Sequence, residues 1–199
     1  MIDFNILKRL YTKKLEEHLK LNKVDREILH VINLINSSND YFTTSSCAGR
    51  IVLIKVPNDL KKQRDVFIFK SHQIVRFEDI FDILKKNYTL FDNIWLKQEP
   101  FIIHVSCRNL KSAIKILKIS SKVGLKHSGI LSLKKSRIIV EIIGNEKVET
   151  ILSKNKKIIV SEEYLKDLVE EANKKLLRNR IYLGKLYIYL KKCLNSINF

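Results

Sequence analysis

The sequence predicts an α+β fold: a mixed, mostly antiparallel sheet with helices. Three observations carry this reading. Apolar residues recur at helical spacing near both chain ends, but give way to short β-branched and aromatic runs between about residues 41 and 160. Those runs come in pairs, and a helical pattern follows a pair rather than a single strand, which argues against a doubly wound parallel sheet. No GxGxxG or P-loop pattern occurs, so the glycines that let a backbone approach a pyrophosphate in a Rossmann fold are missing. The chain reads as one domain over 1–199, with N-terminal helices in 1–38, a sheet-containing core in 41–160 and a C-terminal helical region in 161–199.

Residues 4–20 place Phe4, Leu7, Tyr11, Leu15 and His18 or Leu19 on one helical face. A second helix spans 25–36, with Asp25 at its cap or in its first turn and Ile28, Leu29, Ile32 and Ile35 as its stripe. Ser37-Ser38-Asn39-Asp40 ends it. Tyr41–Val56 is strand-like. Ile51–Val56 and Val66–Ser71 are expected to pair across the polar loop Pro57–Arg64, with a helix over 76–87 presenting Phe77, Ile80, Phe81 and Leu84. Phe91–Lys97 and Phe101–Ser106 read as a hairpin across Gln98-Glu99-Pro100. A helix over 109–123 follows, with Leu110, Ala113, Ile114 and Leu117 inward. Ser128–Leu133 pairs with Ile138–Ile143, and Ser161 caps a helix from 162 to about 178 whose first turn holds Glu162 and Glu163. A strand–strand–helix unit thus repeats two or three times.

Composition excludes several classes. Hydrophobic residues make up 45% and charged residues 30%, with only five glycines and two prolines, so collagen-like and disordered readings fall away. Cys47, Cys107 and Cys193 show no CxxC or Cys–His spacing, which leaves no zinc ribbon or disulfide framework. No metal site is expected. No apolar run approaches the ~18 residues of a membrane span. The expectation is a reduced, cytoplasmic protein. The net charge is +17, which attracts polyanions. Lysine outnumbers arginine 29 to 9, and A/T-rich codons alone also produce such a bias. Placement favours a binding role: Lys111, Lys115, Lys118 and Lys122 fall on one helical face, followed by Lys126, Lys134, Lys135 and Arg137. Such a stripe tracks phosphates without reading bases.

The densest polar cluster is Thr43-Thr44-Ser45-Ser46-Cys47-Ala48-Gly49-Arg50. A turn of this kind offers N–H groups and short donors to an anion, and Arg50 adds a guanidinium; an ordinary turn with a buried Cys47 is the plainer alternative. His72 ends the run 66–71, and His104 lies within a strand whose alternation sets His104, Ser106 and Arg108 on one face and Ile103, Val105 and Cys107 on the other. Cys107 stands where a helix N-terminus would depress a thiol's pKa, or else is simply buried. Lys126-His127-Ser128-Gly129 is a polar turn and a second candidate anion contact.

Four segments in order, YFTTSSCAGR (41–50), FKSH (69–72), FIIHVSCR (101–108) and GLKHSG (124–129), resemble the tRNA wybutosine-synthesising methyltransferases, archaeal stand-alone type. The flanks at 25–36, Val140-Glu141-Ile142 and 163–173 agree. Ala48, where many relatives have Ser, and Val66-Phe67-Ile68, where relatives often show a Trp, depart from the pattern. The resemblance implies an enzyme outside the Rossmann methyltransferase fold that uses S-adenosylmethionine to methylate N-4 of the demethylated tricyclic base 37 of phenylalanine tRNA. It implies cofactor contacts at Ser45, Ser46, Cys47, Gly49, Arg50, Ser106, Arg108, Ser128 and Gly129. The same reading gives His104, then His72, as general base, since imidazole titrates nearest neutrality. It also gives Lys111, Lys115, Lys118, Lys122 and Lys126 as RNA contacts at the anticodon stem and loop, and Tyr41, Phe42 and Trp95 as stacking platforms for an extruded base. A non-catalytic basic RNA-binding module is the alternative.

Overall fold

The computed structural model describes residues 3–59, 65–134 and 137–195. Lys135 and residues 60–64 of the expected Pro57–Arg64 loop lie outside the described residues. By their internal contacts the residues form two units, neither of them continuous in sequence: 1–48, 101–145 and 179–199 form the first, and 49–100 with 146–178 the second.

The first unit holds a four-stranded sheet ordered β1-β5-β7-β6, built from β1 (Tyr41–Cys47), β5 (Ile102–Cys107), β6 (Gly129–Lys134) and β7 (Arg137–Ile143). Its helices are α1 (Phe4–Lys20), α2 (Leu29–Ser37, preceded by a 3₁₀ turn at Arg26–Ile28), α4 (Leu110–Val123) and the end of α5 (Glu162–Asn195). Alternation splits β5 between two environments. Ile103, Val105 and Cys107 join a buried cluster with Val31, Ile32 and Ile35 of α2, Ala113, Ile116 and Ile119 of α4, and Leu183, Leu186 and Leu190 of α5. On β1, Phe42 contacts α1, with ring centroids 5.1 Å from Phe4 and 5.3 Å from Tyr11.

The second unit holds a five-stranded sheet ordered β3-β2-β4-β8-β9, from β2 (Arg50–Val56), β3 (Phe67–Ser71), β4 (Asn93–Glu99), β8 (Val148–Lys154) and β9 (Lys157–Ile158). Its core packs Ile51, Leu53, Ile94, Leu96 and Leu152 against Ile80 and Leu84 of α3 (Phe77–Asn87) and Leu165, Ala172 and Leu176 of α5. Every strand pairing among the described residues is antiparallel. The α+β class and the absence of a parallel Rossmann sheet stand as the sequence predicts. No helix among the described residues is long and apolar enough to cross a membrane.

Four local expectations change. β4 and β5 do not form a hairpin: β4 bonds β2 and β8, while β5 bonds β1 and β7. Both edges of each strand are taken, and the chain passes through Pro100, which has no N–H, from one sheet to the other. The middle strand–strand–helix unit therefore does not exist as a hairpin. On α4 the inward stripe is Ser112, Ala113, Ile116, Ile119, Ser120 and Val123, while Leu110 and Ile114 are 51% and 42% exposed. Two buried serines face the core at little cost because Ser112 Oγ donates to Asn109 Oδ1 and Ser120 Oγ to the Ile116 carbonyl. β8 and β9 were not foreseen. Finally, α5 does not stop near 178: Leu176, Leu183, Leu186 and Leu190 continue one apolar stripe through the charged stretch. Ser161 does cap it, its Oγ accepting from the Tyr164 N–H at 3.1 Å.

Candidate active site

In the first unit a polar row crosses three strands. The register pairs Tyr41 with Cys107, Phe42 with Ser106 and Thr43 with Val105, then slips so that Ser45, not Thr44, stands opposite His104. This bulge re-aims a side chain, a common use of the extra residue. On the far side of β5, His104 pairs with Glu141 of β7, which in turn faces Gly129 of β6. The imidazole is held at both ends: Nδ1 lies 2.8 Å from Ser45 Oγ and Nε2 lies 2.9 Å from Glu141 Oε2. An ionised Glu141 only accepts, so Nε2 carries the proton in neutral His104 and Nδ1 accepts from the Ser45 hydroxyl. Both side chains of the His104–Glu141 pair remain about one quarter exposed, so the row is not sealed from solvent. Ser45 and Ser46 line a cavity of about 260 Å³ with Tyr11, Lys14 and His18 of α1 and with Lys23.

The turn after β1 is fixed from two sides. Asp25 sits at the N-cap position of the 3₁₀ turn, yet makes no capping bond there; its Oδ2 accepts from the Ala48 N–H at 2.7 Å. Gly49 has φ of 88°, a left-handed conformation that a side chain would strain. In the second unit His72 Nδ1 bonds the Gly49 carbonyl at 3.0 Å, which fixes its ring to backbone. Arg50 Nε donates to Glu99 Oε2, and the guanidinium lies 4.7 Å from the Phe67 ring centroid. Arg50 and Glu99 thus present a cation and an anion side by side at the partly exposed start of β2 and end of β4.

Residues 4–192 match the family model described as Methyltransferase TYW3. The chain belongs to the TYW3 methyltransferase family. It is 32% identical over 96% of its length, and 95% of the relative's, to "tRNA(Phe) 7-((3-amino-3-carboxypropyl)-4-demethylwyosine(37)-N(4))-methyltransferase" of Thermococcus sibiricus. It is 36% identical to a "tRNA wybutosine-synthesizing protein 3 homolog" of Xenopus laevis, over 89% of this chain and 70% of that one. The solved PH1069 protein of Pyrococcus horikoshii superposes with a TM-score of 0.87 at 32% identity, covering 94% of this chain and 96% of that one. TYW3 membership makes the chain a methyltransferase, and therefore implies a methyl donor.

The other residues singled out in this TYW3 chain are dispersed. Ser106 is fully buried between Phe42 and Ile139 in the ladder, its Oγ without a hydrogen-bond partner among the described residues. Arg108 holds α1: it pairs with Asp40 at 3.3 Å, donates to Asn5 Oδ1 and the Asn39 carbonyl, and packs over Phe4. Cys107 is buried, and burial pushes its thiol up to about 12, the reverse of the depression expected at a helix start. Ser128 Oγ accepts from the Ile143 N–H at 3.3 Å, and Gly129 has open space where a side chain would begin. Tyr41 and Phe42 are buried, Tyr41 donating to the Ser112 carbonyl, so neither is a platform as the chain stands. Trp95 is half-buried beneath Lys97. Lys111, Lys115, Lys118 and Lys122 do share one face, around a groove with Leu110 and Ile114, and Lys126 is exposed beyond it. The sequence reading missed Asp25, Tyr11, Lys14 and the role of Glu141. Asp25 left a trace as a helix cap, Tyr11 as a member of a helical stripe and Glu141 as an acidic residue alternating within an apolar strand; Lys14 left none.

Proposed function

We propose that this chain methylates N-4 of a demethylwyosine-type tricycle at position 37 of phenylalanine tRNA, in the cytoplasm, with S-adenosylmethionine as donor. The observation that carries the reading is the Ser45–His104–Glu141 row in a chain whose relatives are named for that reaction. S-adenosylmethionine, when bound, supplies an electrophilic methyl group on sulfur. The Arg50–Glu99 pair suits its amino-acid end, because a zwitterion needs a cation for its carboxylate and an anion for its ammonium. Glu99 takes Nε of Arg50, so a ligand carboxylate would meet the terminal guanidinium nitrogens.

His104 serves as base through Ser45. Both of its nitrogens are occupied, and Ser45 is the member of the row that lines the cavity. As the substrate N-4 loses its proton to Ser45 Oγ, the Ser45 hydroxyl proton passes to His104 Nδ1. Glu141 then faces an imidazolium and stabilises it. Holding the reactants in place supplies much of the remaining acceleration. His72, fixed to the Gly49 carbonyl, is assigned to shaping the turn. The lysines of α4 and Lys126 hold the anticodon-stem phosphates. A purely RNA-binding module would need neither the row nor the donor. Calorimetry with S-adenosylmethionine, then mass analysis of tRNA nucleosides after incubation, tests the proposal: binding and the gain of one methyl on the tricycle are expected, and binding of tRNA without either would overturn it.

A further inference from the structure

We infer that Asn36, in the last turn of α2, is a positioning residue for the reaction: by holding Thr43 it fixes the register that puts Ser45, and not Thr44, against His104. The inference rests on the Ser45–His104 relay proposed above and names what keeps that relay assembled. Among the described residues β1 is an edge strand of its sheet, paired with β5 alone. An edge strand has outward backbone groups that no ladder satisfies, and a run that is polar on both faces specifies its register weakly. Here a side chain stands in for the missing strand. Asn36 Oδ1 accepts from the Thr43 N–H at 2.7 Å, and Asn36 Nδ2 donates to Thr43 Oγ1 at 3.1 Å. One amide thus holds both the backbone and the side chain of Thr43.

Thr43 is the residue at which the regular ladder stops: it pairs with Val105, and the next pair is Ser45 with His104. Side chains alternate along a strand, so an unbroken ladder would send Thr44 to His104 and turn Ser45 to the other face. On that other face Ile103 and Val105 join the apolar cluster with α2 and α4, where Ser45 could not reach the imidazole. The run Thr43-Thr44-Ser45-Ser46 does not oppose such a slip, because four short hydroxyl side chains suit either face. Holding Thr43 in place does oppose it. Past the bulge, Asp25 Oδ2 accepts from the Ala48 N–H at 2.7 Å, so the segment that contains the extra residue is tied at both ends. Asn36 is the tie on the side of Thr43.

The test uses Asn36→Ala, Asn36→Asp, and Asn36→Ala with Thr44 deleted. NMR contacts between the Ser45 side chain and the His104 ring read the register, calorimetry reads donor binding, and single-turnover methylation of tRNA reads the chemistry. Asn36→Ala should lose the Ser45–His104 contact and slow methylation by about 10–100-fold, the scale of a misplaced reacting group, with donor affinity unchanged. Asn36→Asp should keep the contact and most of the rate, because a carboxylate still accepts from both the N–H and the hydroxyl of Thr43. Deleting Thr44 removes the extra residue, so a regular ladder then carries Ser45 to His104 and should restore contact and rate in Asn36→Ala. A merely structural Asn36 would not be rescued in this way. A folded Asn36→Ala that keeps the contact overturns the inference and leaves the relay standing. Loss of the contact at the native rate overturns the relay, and the inference with it. If Asn36→Ala does not fold, the deletion decides: a folded and active double variant supports the inference, and one that stays unfolded overturns it.

Discussion

Ser45 faces His104 across the β1–β5 ladder because β1 carries one residue more than its partner between Thr43 and Ser45. The displaced Thr44 is still used, its hydroxyl donating to the His104 carbonyl at 3.4 Å. One side chain therefore bonds the imidazole and its neighbour ties down the backbone that carries it.

Ser45 and His104 should act as one unit. His104→Ala should lower turnover by ~10²–10⁴, Ser45→Ala by a comparable factor, and the double variant by little more than either, because groups on one proton path are not additive. Turnover of His104→Ala should partly return at high pH, where solvent takes the proton. Single-turnover rates against pH check this; wild-type turnover of His104→Ala at neutral pH removes the relay. Glu141→Gln should cost less than His104→Ala, since the amide oxygen still accepts from Nε2 but no longer faces an imidazolium with charge.

Arg50→Ala should weaken binding of the methyl donor by about 2–4 kcal/mol if the guanidinium meets a desolvated carboxylate. Calorimetry reads it directly. Unchanged affinity in a folded variant takes Arg50 out of the site.

The lysine face of α4 should govern RNA affinity alone. Changing Lys111, Lys115, Lys118 and Lys122 to Gln should reduce the salt slope of tRNA binding by up to ~2–3, given ~0.7–0.9 per phosphate contact. Donor affinity should not move. An unchanged slope would mean that tRNA docks on another surface.

Arg108→Ala should act on stability before chemistry. The guanidinium joins Asn5 of α1 to the Asn39 carbonyl and Asp40, and losing these bonds should cost about 1–3 kcal/mol in urea unfolding. Full stability with lost donor binding would place it among the ligand contacts instead.

Cys107 should resist alkylation in the native chain near pH 8 and react after unfolding, because burial raises its thiol from 9.0 to about 12 and thiolate is the reactive form. The same shift has a sign for stability. Between about 9 and 12 the folded state keeps a proton that the unfolded chain has released, so this contribution is full below 9 and declines as pH rises through that window. Tyr41, also raised by burial, adds to the decline. Mass spectrometry after iodoacetamide tests reactivity, and the alkaline limb of the unfolding midpoint should flatten in Cys107→Ala.

Much was legible in the sequence because it depends on neighbours in the chain. The period of α1, the stripes of α2 and α3, the β6–β7 hairpin and the alternation that sets His104 apart from Val105 follow from local geometry, and the polar cluster 43–50 stands out by composition alone. What the sequence could not show depends on partners far away in it. Whether β4 and β5 pair is settled by which strands occupy their edges, and two apolar stripes on α4 are equal candidates until a sheet covers one. Glu141 is one more charged residue in a strand until the β5–β7 register places it opposite His104. A one-residue bulge decides whether Thr44 or Ser45 meets the imidazole, and no local preference among Thr, Thr, Ser and Ser singles out that residue. The candidate chemistry was written in residue types along the chain; its geometry came from register, which only the assembled sheets decide.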